Sequence, residues 1–150
     1  MKTQRINSDS IPTSKGTYLL FLSNTKSQKI NIGKQGGFLF PSGLLVYVGS
    51  ALGAGGLRGR ISHHLRVNRK CHWHIDYLLQ KMPVYQVLYI ENPSRLEHKW
   101  AMLLERIPDL SIPMKGFGAS DCQCASHLFH IPSQYWDIRI EQILIKDFSK

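Results

Sequence analysis

Four glycines, Gly49, Gly53, Gly55 and Gly56, fall within residues 49–56. Glycine inside a helix or strand costs about 0.5–1 kcal/mol relative to alanine, so a cluster this dense stays out of regular structure. The stretch reads as a tight loop in which main chain can approach a ligand. Its flanks are regular. Residues 44–49 carry Val46 and Val48 opposite Leu45 and Tyr47, a strand pattern. Residues 57–66 carry Leu57, Ile61 and Leu65 at i, i+4 and i+8, a helical pattern. The other faces of that helix hold Arg58, Arg60, His63, His64 and Arg66.

Further strands are expected over residues 16–22, 28–32, 84–90 and 126–131, with a hairpin turn at 23–27 and a loop at 33–43, where Gly36-Gly37 and Pro41 are turn signals. A short helix is expected over 75–81. Another begins with Ser94 as N-cap and Glu97 three residues on, a capping-box spacing, and runs to about 106. Residues 114–124 read as irregular. Residues 133–148 fit a helix through Trp136, Ile140, Ile143 and Leu144, or a strand through Ile138 and Ile140. The fold class implied is α+β, an α/β sandwich. Residues 1–15 read as a flexible arm, 16–150 as one domain, and 131–150 as its C-terminal extension.

At 150 residues and 43% hydrophobic, the chain suits one packed domain. No apolar run reaches the ~18 residues of a membrane span, and the polar N-terminus lacks a secretory h-region. A cytoplasmic protein with no membrane partner is expected, its three cysteines reduced. The net charge of +9 favours a polyanion, because each neutralised phosphate releases counterions. Solubility alone is the plainer explanation of the same charge.

The chemistry-bearing residues fall in three groups. Tyr18 and Tyr47 each sit on a strand near a glycine, in Gly16-Thr17-Tyr18 and Tyr47-Val48-Gly49. Arg60 and His64, spaced i, i+4, share a helix face, where arginine can fork onto phosphate oxygens and histidine can move a proton. Glu97 offers a hard oxygen ligand of the kind Mg²⁺ takes. Taken singly, each has an ordinary role: core tyrosines, a solvated basic face, a capping glutamate. Phosphate contacts are expected from Arg58, Arg66, Arg69 and Lys70, and His72 and His74 are expected to line a groove. Trp73 reads as core, with base stacking as the alternative. Cys122, Cys124 and His127, with His72, His74 and Asp76, would make a structural zinc site or else pack as reduced cysteines and a histidine-lined groove.

In order and spacing, Gly16-Thr17-Tyr18, Tyr47-Val48-Gly49, Arg60 to His64 and Glu97 resemble the motifs of the GIY-YIG nuclease superfamily. Residues 49–53, 72–78 and 116–124 are similar to a bacterial and archaeal branch sometimes joined to endonuclease III-like repair glycosylases. The resemblance implies a small, mostly antiparallel three-stranded sheet core flanked by helices, and one Mg²⁺ or Mn²⁺ held by Glu97. It implies that Tyr18 activates the attacking water, Tyr47 holds that water or the phosphate, Arg60 stabilises the pentavalent phosphorus and His64 assists proton transfer or contacts the phosphate. Tyr18 can serve as a base near neutrality only if Arg60 and a cation lower its pKa from ~10. The superfamily's late asparagine has no clear equivalent; Ser120 and Asp121 are the nearest candidates.

The function expected is a metal-dependent endonuclease cutting DNA, in repair or processing, with a repair protein as partner. A non-catalytic DNA- or nucleic-acid-binding module on the same fold is the alternative. A metal-free ribonuclease, pairing His64 with His72 or His74 and acting on RNA, is the third reading.

Overall fold

Strand β2 (Gly16–Asn24) is buried along nearly its whole length, which requires cover on both of its faces. A computed structural model, describing residues 2–4, 8–66, 70–119, 122–131 and 136–148, shows what supplies that cover. β2 lies at the centre of a five-stranded sheet. Its neighbours are β6 (Val84–Glu91) and β5 (Gly43–Ala51), with β1 (Lys2–Gln4) beyond β6 and β7 (Leu128–Ile131) beyond β5. Every pairing is antiparallel. A separate two-stranded ladder joins β3 (Gln28–Asn31) to β4 (Gly37–Phe40).

Side chains alternate across the pleat. Tyr18, Leu20 and Leu22 point to one face with Leu45, Tyr47, Val87 and Tyr89. That face is closed by Leu57 and Ile61 of α1 (Gly56–Leu65), Ile75 and Leu78 of α2 (His74–Leu79), and Phe117. Leu19, Phe21, Val46, Val48 and Leu88 point the other way. They pack on Trp100 and Leu104 of α3 (Glu97–Glu105) and on Ile140 and Leu144 of α4 (Trp136–Phe148). The chain is thus an α+β domain with an antiparallel sheet between two helical layers. Among the described residues, no helix is long and apolar enough to cross a membrane.

The glycine-rich run is only partly a loop, because β5 takes in Gly49 to Ala51 and α1 takes in Gly56. The structure departs from the sequence pattern in four further places. First, β1, which the sequence pattern did not announce, and β7, which falls within the strand expected at 126–131, extend the three-stranded core implied by the resemblance to five strands. Second, the stretch read as a loop at 33–43 contains β4, because Phe40 is fully buried and Phe38 packs against the same core. Its turn uses Gly33 and Gly36, both at positive φ. Third, part of the stretch read as an arm is tied in. Residues 2–4 pair with β6, and Ile11 is 1% exposed. The carbonyls of Ser14 and Pro12 accept from the amides of Leu57 and Arg58, each at 2.9 Å. The start of α1 therefore spends two of its amides on the protein's own chain. Fourth, α3 has Leu96, not Ser94, at its N-cap, with no side-chain cap. The Ser94 amide instead donates to Asn92 Oδ1. Glu97 is thereby released from capping. Residues 136–148 resolve as helix.

Candidate functional site

Glu97 and Arg60, far apart in sequence, line the same cleft of about 390 Å³. β5 contributes Tyr47 and Ser50 to it, and the segment entering α2 contributes His72, Trp73 and His74. Arg95, just before α3, and Gly118 complete the wall. Gly118 adopts φ +67, and a Cβ there would lie 3.2 Å from the Tyr47 ring. Its amide donates to His74 Nδ1 at 2.9 Å. Burial lowers the pKa of His74, so this imidazole stays neutral and keeps Nδ1 as an acceptor.

The Arg60 guanidinium lies 4.4 Å over the Trp73 ring. Trp73 is half-buried: its body packs on the core and its face carries the arginine. The stack fixes a planar fork of donors at the cleft wall. Across the cleft, Glu97 Oε1 accepts from Ser50 Oγ at 3.3 Å and faces Arg95 Nη1 at 3.6 Å. Its oxygens also lie 3.4 Å from His98 Nε2 and 3.7 Å from His127 Nδ1. Glu97 is the sole carboxylate among the residues lining the cleft.

Behind this wall lies a buried layer. The Tyr18 hydroxyl is 2.6 Å from His64 Nε2 and also hydrogen-bonds Arg60. A phenol accepting from Arg60 donates its single proton to His64. The imidazole proton then sits on Nδ1, which faces Asp76 Oδ1 at 4.0 Å. Asp76 is fully buried, and its Oδ2 accepts from the amides of His72 and Trp73, each at 2.8 Å. The Asp76 carboxyl thus holds the His72–His74 segment in place while facing the histidines of α1.

The expected set of five residues therefore divides in two. Tyr47, Arg60 and Glu97 line the cleft. Tyr18 is 0% exposed and His64 2% exposed, and both stand behind it. Burial, reinforced by Tyr47, pushes the Tyr18 pKa well above its ordinary value, and Arg60 opposes the shift without overcoming it.

Of the expected DNA-binding residues, His72 and His74, read as lining a groove, line the cleft. Arg58 does not: its Nε donates to the Ile11 carbonyl at 2.7 Å, fastening the N-terminal segment. Arg66 and Lys70 are exposed and outside the cleft wall. Arg69, Ser120 and Asp121 lie outside the described residues. Ser50 and Arg95 line the cleft without having been singled out; Ser50 stands in the glycine-rich run, the one sequence signal that pointed to it. A second, shallower groove of about 220 Å³ runs along Gly53, Gly55, Gly56 and Gly59 and shares Arg60 and Trp73 with the cleft.

The expected metal-ligating constellation also divides. His72 and His74 belong to the cleft and Asp76 to the buried layer, while Cys122 and His127 meet His98 of α3. The three cysteines form no disulfide.

Fold and cleft together define an α+β domain whose antiparallel sheet backs a polar, cation-rich pocket. The chain belongs to the family described as domain of unknown function DUF123, whose family model matches residues 17–147. No curated protein and no solved structure matches it.

Proposed function

We propose that this domain is a metal-dependent endonuclease of the GIY-YIG type that hydrolyses phosphodiester bonds in DNA. The observation carrying the proposal is the meeting of Tyr47, Arg60 and Glu97 in one cleft, with Tyr18 and His64 bonded directly behind it. The net charge of +9 and the adjoining glycine-lined groove suit an extended polyanion.

The donor set fits a hydrated Mg²⁺ or Mn²⁺. Such ions keep several waters and take one or two carboxylates, and Glu97 supplies one. When bound there, the ion would supply Lewis-acid stabilisation of charge on the phosphate and the leaving oxygen. In the reaction, water attacks phosphorus and the bond to the leaving sugar oxygen breaks. Arg60, held flat by Trp73, forks onto the non-bridging oxygens as negative charge builds. The Tyr47 oxygen accepts from the attacking water and orients it. The water's proton has His72, an exposed imidazole at the rim, as acceptor. Tyr18 and His64 act as positioning residues: they fix the inner side of Arg60. The neutral Tyr18 phenol suits that role better than a general base. We place the protein in DNA repair or processing in the cytoplasm, with targeting supplied by a repair-protein partner.

Plasmid nicking with Mg²⁺ or Mn²⁺ tests the reading. Arg60→Ala should cost on the order of 10²–10³ in rate, as loss of a transition-state charge partner does elsewhere. Glu97→Ala and chelation should each abolish cleavage. Full activity in Glu97→Ala would end the proposal.

A binding module without catalysis is the second reading. The burial of Tyr18 favours it, since only one of the two phenols reaches the cleft. Salt-sensitive DNA binding with no cleavage under any divalent ion would select it, and RNA cleavage that survives chelation would select a ribonuclease instead.

A further inference from the structure

The strongest cluster of soft ligands lies beside the cleft, not in it. One donor atom each from His98, Cys122 and His127 can be chosen so that all lie within 4.8 Å of one another. Zinc with imidazole and thiolate ligands has bonds of about 2.1 and 2.3 Å, so neighbouring tetrahedral ligands sit roughly 3.4–3.8 Å apart. Cys122 Sγ and His127 Nε2 are 3.3 Å apart, close to that edge. Cys124 stands alongside, outside that set of mutually close donors, with its thiol 3.9 Å from the His98 carbonyl.

We propose that His98, Cys122 and His127, with Cys124 as fourth ligand, bind one zinc ion. Two sulfurs and two imidazoles are the donor chemistry of a closed, structural zinc site and are poor ligands for Mg²⁺ or Ca²⁺. His98 Nε2 is buried and makes no hydrogen bond, with Glu97 Oε1 at 3.4 Å as its nearest charged neighbour, so a metal would satisfy it. The outer contacts fit as well. With His127 Nε2 turned to the thiol, its Nδ1 faces Glu97 Oε2 at 3.7 Å. A carboxylate opposite the ligating nitrogen orients a zinc-bound histidine and fixes its tautomer. The ion would tie the first turn of α3 to the loop ahead of β7. It would also direct the His127 N–H at Glu97 and so help place that carboxylate toward the cleft. The proposal stands apart from the nuclease reading, because its readouts are metal content and spectra.

The test uses the full chain under reducing conditions. Elemental analysis of protein purified from zinc-supplemented culture should give one zinc per chain. Cys71→Ser should retain it and Cys122→Ser should lose it. Cobalt titrated into chelator-stripped protein should give tetrahedral ligand-field bands and thiolate-to-metal charge transfer, with about half the charge-transfer intensity in Cys124→Ser. Wild-type protein that takes up no zinc and shows no thiolate–cobalt absorption overturns the proposal, whether or not the variants fold. So does full zinc retention by Cys122→Ser.

Discussion

The Tyr18 phenol lies across Gly49 of the neighbouring strand, so that a Cβ at position 49 would stand 2.4 Å from both the hydroxyl and its ring carbon. Tyr18 pairs with Gly49 in the β2–β5 ladder, and the missing side chain is what lets the ring turn toward His64. Gly49→Ala should therefore destabilise the domain by about 1–3 kcal/mol, the usual cost of overpacking. Urea unfolding of Gly49→Ala, Tyr18→Leu and the double variant checks this. The double should lose clearly less than the two singles added together, because the clash needs both partners.

Asp76 should matter to stability more than its distance from the cleft suggests. Asp76→Ala leaves the part-buried amides of His72 and Trp73 without their acceptor, at about 1–3 kcal/mol for each group that water does not reach. Amide exchange at those two positions should quicken sharply. Unchanged protection would mean that the α2 entry is held by something else.

The Tyr18 phenol sets an alkaline limit. Its folded pKa is raised, so its contribution to stability is complete below the unfolded value of ~10 and is lost as pH climbs from there through the folded pKa. Stability should fall with pH above ~10, and Tyr18→Phe should flatten that fall. Ultraviolet titration of the folded chain should show a phenol ionising well above pH ~10, and Tyr18→Phe should remove that component.

His74 has the opposite sign. Its folded pKa is lowered, so its contribution is present above ~6.5 and is lost as pH falls through the folded value. The NMR titration of its ring should run below that of an ordinary histidine, and the Gly118 amide, its donor partner, should titrate with it.

On the proposed nuclease reading, Trp73→Leu should weaken DNA binding by removing the platform under Arg60. The stacked guanidinium is worth about 0.5–2 kcal/mol, or roughly 2- to 30-fold in affinity. Fluorescence anisotropy at fixed salt measures it. Equal affinity in the variant would show that Arg60 needs no platform.

Much of this architecture was legible in the sequence, and the exceptions have physical causes. The apolar runs of β2, β5 and β6 and the helical period of α1 are strong patterns, because a covered sheet and a core-facing helix tolerate few polar side chains. β4 was hidden because Gly36-Gly37 reads as a turn, whereas the chain has already turned by Gly36. Ser94 and Glu97 have capping-box spacing, but Asn92 bends the chain first. Depth was the harder quantity. Tyr18 and Tyr47 share one face of the sheet, yet the first is sealed beneath α1 and the second stands at the wall. Strand order carries no such information. His98 adjoins Glu97 in sequence, and nothing in a lone helical histidine announces that Cys122 and His127 will fold against it.

Along the groove through Gly53, Gly55, Gly56 and Gly59, the glycines present bare main chain. That bare stretch has few means of telling one chemical group from another, and Arg60, His63 and Trp73 supply the side chains beside it. It sorts what lies on it by thickness and curvature. Finer discrimination would fall to side chains such as His72, His74 and Arg95, which line the neighbouring cleft.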